Sequence, residues 1–317
     1  MAPSNNEKSR LDEAARAGWF YYIAGQTQNE IAKRLKVSRA TVQRLVSLCL
    51  SERLITFRLE HPIAACMDLA TQLVDRFKLR TCEIVPTDPT SATAVAGIAE
   101  RAASLLEATL RSSKPVIVAI GTGRAMRAAV EQVPPMDRPD HQLVSLVSNI
   151  STDGSANFFD TVGRLAELTK ARHYPTPLPV LMSSEDERDR MLKMGPVAKV
   201  RAIAARADLR LIGVGQMDRK AQLHVDGFVS RTELRELIRL GAVGELTGWA
   251  YDARGRFLKG GTNGRLTSMP HPVPATALTV AAAVGPAKVS AILAALRGRL
   301  INGLITDEAT ARSLLAL

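Results

Sequence analysis

Residues 27–46 read TQNEIAKRLKVSRATVQRLV, and this stretch decides how the amino-terminal part of the chain folds. Thr27 and Glu30 stand three apart ahead of an apolar stripe, which is the spacing of a capping box at a helix start. Ile31, Ala32 and Leu35 supply the stripe, Val37 fills a turn, and Ser38 caps a second helix. On that helix Val42 and Leu45 face inward, leaving Arg39, Ala40, Thr41, Gln43 and Arg44 outward. Lys33, Arg34, Lys36, Arg39 and Arg44 crowd the motif, and Glu30 is its only acid. A helical pair with a basic outer face is the device that enters a DNA major groove. Arg39, Thr41, Gln43 and Arg44 are the candidates for groove contact, with Ser38 at the helix start, and Lys33, Arg34 and Lys36 for phosphates. The plain alternative is a helix hairpin with a solvated charged face. Two caps, one stripe and the charge all agree, which favours DNA. Lys36 holds the turn position often taken by glycine, where a left-handed backbone costs about 1 kcal/mol.

Working outward, 10–24 carries Leu11, Ala14, Ala15, Trp19, Tyr22 and Ile23 at helical spacing, a brace for the other two helices. Gly25 ends that helix as a left-handed cap. LITFRL at 54–59 alternates as a strand does, so a small wing is expected there. The first nine residues are polar and read as a disordered tail. Residues 1–60 hold ten Lys plus Arg against six Asp plus Glu, a net of +4.

With 317 residues, the chain has room for one further large domain, 61–317, and its 46% hydrophobic content suffices for a full core. The formal charge of +11 favours a polyanionic partner. Cys49, Cys66 and Cys82 are odd in number and lack metal spacing, which reads as cytoplasmic thiols. No signal peptide opens the chain, and the longest apolar run, 275–284, is too short to cross a bilayer, so no membrane partner is expected. His61, His141, His173, His224 and His271 form no paired-ligand pattern, so no metal site is expected.

The larger domain reads as α/β. Apolar runs at 81–85, 116–120, 143–147, 209–214 and 277–284 are expected strands. Helical stretches at 91–110, 158–169 and 197–207 separate them, the pattern of a parallel sheet buried on both faces. Leu69, Leu73 and Phe77 mark a connecting helix over 62–78. A lone linker helix is rarely stable in water, so its stripe is expected to bury against a second subunit. Trp249, Tyr251 and Phe257 flank the turn Asp252-Ala253-Arg254-Gly255, a hairpin beside the main sheet.

Ligands of parallel sheets sit at the carboxyl ends of the strands. Three glycine turns fall there: Gly121-Thr122-Gly123-Arg124, Gly213-Val214-Gly215-Gln216 and Gly285-Pro286-Ala287-Lys288. Each alone does no more than permit a tight turn. Three together, two of them with a cation, point to a small-ligand pocket. GxGxxG fails at Met126 and GxxxxGK[ST] is absent, so no nucleotide cofactor is expected.

The stretches YYIAGQTQNEIAKRLKVSRATVQRLV, AIGTGRAM, LIGVGQMD, GAVGELTGWAYDARGRF and AAAVGPAKVSAILAALRGRLINGLITDEATARSLL occur in that order between residues 11 and 317. In them the chain resembles the SorC/DeoR-type sugar-binding transcriptional regulators. The resemblance implies a winged helix-turn-helix and a Rossmann-like effector domain similar to sugar-phosphate isomerases and deaminases. It further implies a homo-oligomer, tetramer or dimer, on operator DNA, controlled by a sugar, polyol or sugar phosphate. By the same resemblance Gly121, Thr122, Gly123 and Arg124 hold the effector's phosphate or terminal hydroxyls. Lys288 joins that pocket, Glu245 and Asp252 meet sugar hydroxyls, and the loop 153–157 covers the site with Asn157. Ala125 stands where relatives carry Thr, which leans the effector toward an unphosphorylated sugar or polyol. For Asp252 a turn role fits equally well. An attached sugar-phosphate isomerase or deaminase is the enzymatic alternative. It needs a general base and a proton shuttle, for which Asp153, Asp160 and His173 are present without a spacing that joins them.

Overall fold

Helix α1 (Asn5–Gly18) opens the first of two units, Met1–His61 and Pro62–Leu317. The computed structural model describes residues 5–55, 64–91, 93–151, 154–155 and 160–317. After Gly18 the helix widens into a π-helical turn, Trp19–Ile23, in which the Ala24 N–H donates to the Trp19 carbonyl five residues back. The wider turn shifts the phase of the side chains. Phe20 and Tyr22 therefore pack on the core, whereas Trp19 and Ile23, expected inside, are 53% and 65% exposed. Gly25 takes a left-handed φ of +66° after this turn.

Helix α2 (Gln28–Leu35) begins at Thr27 with both halves of the capping box formed, and α3 (Arg39–Ser51) begins at Ser38, whose hydroxyl accepts from the Thr41 N–H. Ile31, Val42, Leu45, Val46 and Cys49 close the core with Ala14 and Ala17. A Cβ on Gly18 would collide with the Cys49 sulfur, so glycine sets how closely α1 approaches α3. Residues 56–60 of the expected wing lie outside the described residues.

The second unit starts with α4 (Ala64–Phe77), β1 (Thr81–Val85) and α5 (Ala96–Leu110). Next come β2 (Ile117–Ile120), α6 (Arg124–Val130), β3 (Gln142–Ile150), α7 (Thr161–Thr169) and β4 (Arg172–Pro179). Two helices, α8 (Glu185–Leu192) and α9 (Gly195–Ala205), return the chain to β5 (Leu209–Ile212). An excursion follows through β6 (Gly215–Gln216), α10 (Gln222–Val225), α11 (Arg231–Arg239), β7 (Gly244–Leu246) and β8 (Trp249–Tyr251). The chain ends with β9 (Leu278–Ala282), α12 (Val289–Arg297), β10 (Gly303–Asp307) and α13 (Glu308–Ala316).

Seven strands pair in parallel in the order β1-β10-β9-β5-β2-β3-β4. Successive strand residues feed opposite cores: Val118 and Ile120 pack with α5, α6 and α7, while Ala119 joins the α4, α9, α12 and α13 side. From β2 the chain moves outward to β3 and β4, then crosses back to β5 on the other flank of β2. The loops after β2 and β5 therefore diverge and leave a crevice between them.

One expectation is corrected and one is extended. The stripe of α4 needs no second subunit, because Leu69 and Leu73 bury against β1 and α13 of the same chain. Arg76 fixes that packing by donating to the Leu314 and Leu315 carbonyls. The expected turn at 252–255 is present, closed by the antiparallel Tyr251–Phe257 bridge, and a tighter one at Thr247-Gly248 joins β7 to β8 ahead of it.

Lys36 adopts φ +55°, ψ +41°, the left-handed conformation that its place in the turn demands. Lys36→Gly is therefore expected to stabilise the amino-terminal unit by about 1 kcal/mol. Hydrogen exchange of the α2 and α3 amides measures it, and unchanged protection rejects the strain.

Candidate functional site

On the first unit, Arg39, Ala40, Gln43, Arg44 and Ser47 are all exposed along α3. The spacing i, i+1, i+4, i+5, i+8 places them on one continuous face. Thr41 is half-buried, and its hydroxyl is engaged with that of Ser38 at 2.9 Å. It therefore helps fix the helix start more than it reaches outward. Lys33, Lys36 and Ser38 are exposed around the turn. Arg34 lies over the Phe20 ring at 4.9 Å, which orients its guanidinium on the protein surface.

On the second unit a cavity of about 460 Å³ opens at the carboxyl ends of β2, β5 and β9. All three glycine turns contribute: Thr122, Gly123 and Arg124 from the first, Gly213–Gln216 from the second, Gly285–Lys288 from the third. Gly121 lies beneath them. Its N–H donates to the Leu211 carbonyl, and its carbonyl accepts from the Thr161 hydroxyl at 2.7 Å. Glu245, at the centre of β7, lines the cavity as expected and accepts from the Gly248 N–H at 2.7 Å.

Asp252 is placed elsewhere. It is absent from the cavity lining and closes its own turn, accepting from the Arg254 and Arg256 N–H groups while pairing with the Arg256 guanidinium. With its oxygens committed there, the hydroxyl-binding role does not follow the geometry. Asn157 lies outside the described residues, as does Asp153. The cavity also takes in residues that sequence reasoning missed, among them Gln222, Asp226, Phe228 and Thr247. Thr247 sits within the quoted stretch GAVGELTGW, so a signal existed. Asp226 ends a four-residue helix that has no periodicity to read.

Electrostatics follow from burial. Removal from water raises the Glu245 carboxyl, against the Gly248 N–H and the Lys288 charge, which both favour ionisation. Burial lowers the Lys288 ammonium, Glu245 supports its charge, and Arg124 opposes it. Asp226 adds to the rise at Glu245 and holds the Gln222 side-chain amide at 2.6 Å.

Residues 61–316 match the Sugar-bind family, a sugar-binding domain. The erythritol catabolism regulatory protein EryD of Brucella abortus is 31% identical over 302 residues, covering 95% of this chain and 96% of its own. The chain belongs to the SorC/DeoR-type family of sugar-binding transcriptional regulators. Another family member, the transcriptional regulator LsrR of an Enterobacter species, is 30% identical over 317 residues, at 96% of this chain and 92% of its own. The same fold occurs in the full-length sorbitol operon regulator SorC of Klebsiella pneumoniae, with a TM-score of 0.69 and 22% identity over 96% of this chain and 99% of that one.

Family membership sets aside the enzymatic alternative, since these relatives are transcriptional regulators. Asp160 caps α7 through the Gly163 N–H, and His173 is exposed on the edge strand β4. Neither lines the cavity.

A carboxyl raised by folding holds its proton more tightly in the folded chain than in the unfolded one. Its contribution to stability is complete below the unfolded glutamate range and is lost as pH climbs through the raised folded value. Glu245→Gln removes this titration. The variant's thermal midpoint is therefore expected to gain on wild type as pH rises from about 4 toward 7. Parallel pH profiles would reject the burial cost.

Proposed function

We propose that this regulator controls an operon for carbohydrate or polyol catabolism, that residues 1–60 hold the operator, and that residues 61–317 bind the effector and assemble the oligomer. The effector we propose is a polyol or an unphosphorylated sugar. One observation carries this choice: among the described residues the charged side chains lining the cavity are Arg124, Asp226, Glu245 and Lys288, two of each sign. A doubly charged phosphate there meets two carboxylates. A neutral polyhydroxy compound meets acceptors and donors in balance, since carboxylates accept from hydroxyls while Lys288, Gln216 and Gln222 donate. Ala125, without a hydroxyl, and a relative named for erythritol catabolism support the same choice.

The effector residues we propose are Thr122, Gly123, Arg124, Gly215, Gln216, Glu245 and Lys288, with Gly121 shaping the floor. The operator contacts are Arg39, Gln43 and Arg44 in the groove, Lys33, Arg34 and Lys36 on phosphates, and Ser38 with Thr41 fixing the start of α3. A homotetramer in the cytoplasm is the assembly we propose, on the family resemblance and the three free thiols. Among the described residues no helix is long and apolar enough to cross a membrane.

A thermal-shift panel of tetritols, pentitols, hexitols and their phosphates tests the effector class, since a ligand of the folded state raises stability by mass action. The largest shift from a phosphate ester, or none from any polyol, would sink the choice. Arg44→Ala is expected to weaken binding to promoter DNA by about tenfold, or 1–3 kcal/mol, with the polyol-induced shift retained. Fluorescence anisotropy with wild-type affinity in the variant rejects that contact. Lys288→Ala is expected to lower polyol affinity several-fold and leave DNA affinity unchanged. Calorimetric titration giving the wild-type affinity discards the role of Lys288.

A further inference from the structure

Thr247 and Gly248 are the two central residues of the turn joining β7 to β8, with φ of +49° and +93°. Both positions of such a turn need positive φ, which suits Asn, Asp or Gly at the first of them. A β-branched residue there is a backbone outlier, and outliers of this kind gather at functional sites. What the threonine adds over asparagine or glycine is a hydroxyl on a rigid stem, and Thr247 lines the cavity.

That hydroxyl lies 2.7 Å from Nε2 of His271. The ring is buried outside the cavity lining, and Nδ1, its other nitrogen, has no hydrogen-bond partner among the described residues. Arg210 approaches from the central strand β5. It is 3% exposed, donates to the carbonyl of Pro270, and its Nε is likewise unpartnered. Burial and the Arg210 charge together push His271 down to about 3, so the ring is neutral throughout the physiological range.

A neutral imidazole carries one proton, on one of two nitrogens. On Nδ1 it would be a buried donor with no acceptor, close to a cation. On Nε2 it makes the bond to Thr247, and Nδ1 is left with a lone pair on a ring whose surroundings carry the Arg210 charge. Either tautomer leaves Nδ1 without a partner, but beside a cation a bare acceptor is less costly than a bare donor, which favours the proton on Nε2.

We propose that Thr247 is a ligand-selecting hydroxyl of the cavity: His271 donates its Nε2–H to Thr247 Oγ1, and the Thr247 O–H is thereby directed into the cavity as a donor to an oxygen of the polyol. This rests on the polyol reading for its ligand, and on the Thr247–His271 contact together with the neutral ring for its direction. His271 and Arg210 are positioning residues, since neither lines the cavity.

Two measurements test it on the full chain. Long-range nitrogen–proton correlation of histidine-labelled protein, with His271 assigned by the loss of its signals in His271→Gln, reports the tautomer without any ligand. A proton on Nε2 is expected; a proton on Nδ1, or on both nitrogens, overturns the proposal. Calorimetry then compares Thr247→Val and Thr247→Ser for the polyol that gives wild type the largest thermal shift. Valine keeps the branched stem and the backbone strain but removes the hydroxyl, so affinity is expected to fall about tenfold or more, while serine stays within a few-fold of wild type. Valine binding as tightly as wild type overturns the proposal. If no polyol binds wild type, the effector reading fails on its own, and the tautomer still decides the direction of the hydroxyl.

Discussion

A parallel sheet covered on both faces can meet a ligand only where its strands end, and here that constraint governs the whole second unit. Val118, Ile120, Leu209 and Leu211 are spent on one core, and Ala119 and Ile212 on the other. No face of the sheet is left for chemistry. The reversal of strand order at β2 and β5 separates the loops that follow them, and the cavity occupies that gap. Gly121 lies under the gap. A Cβ there would come to 3.4 Å from the Ile212 Cα and 3.5 Å from Thr247, so the floor is assembled at van der Waals distance around a missing side chain.

Charge inside such a crevice is costly unless compensated, and in this cavity Glu245 and Lys288 compensate each other. Glu245 accepts from the backbone of its own hairpin and is favoured by Lys288. Lys288 loses hydration and gains from Glu245. The couple is held by different elements, β7 and the turn after β9, so a ligand inserted between them exchanges one partner for another without leaving either charge bare. Arg210, outside the cavity lining, is a cation inside the sheet with no ion pair among the described residues.

Much of this was legible because local rules and tertiary structure agree. Thr27 with Glu30, and Ser38 before Val42, specify two helix starts that the structure reproduces. The apolar runs ahead of each glycine turn became β2, β5 and β9. What escaped did so for physical reasons. Strand β4 reads RHYPTPLP, and proline argues against a strand. It is tolerated here because β4 is the sheet edge, where an absent N–H costs no ladder bond. The π-helical turn at Trp19–Ile23 changes the helical phase by a hydrogen-bond shift that no periodicity announces. Asp252 sat beside Tyr251 in a motif resembling a sugar site, yet the neighbouring Arg254 and Arg256 claimed its oxygens. The column of Thr247, His271 and Arg210 spans residues far apart in the chain, and only the fold brings them together.

The magnitudes also bear on why a small, weakly decorated effector suffices. An effector alters operator affinity only by the difference between its affinities for the protein's two arrangements. Tenfold regulation requires about 1.4 kcal/mol of such difference. One hydrogen bond made in a single arrangement contributes about 0.5–1.5 kcal/mol net, and one made to a charged group about 1.5–3. A polyol engaging the Glu245 carboxylate or the Lys288 ammonium in one arrangement alone therefore meets the requirement, with no need for a phosphate's charge. The cavity lies at the end of β9, whose following helix α12 packs on α13, and α13 on α4, the first helix after the boundary between the units.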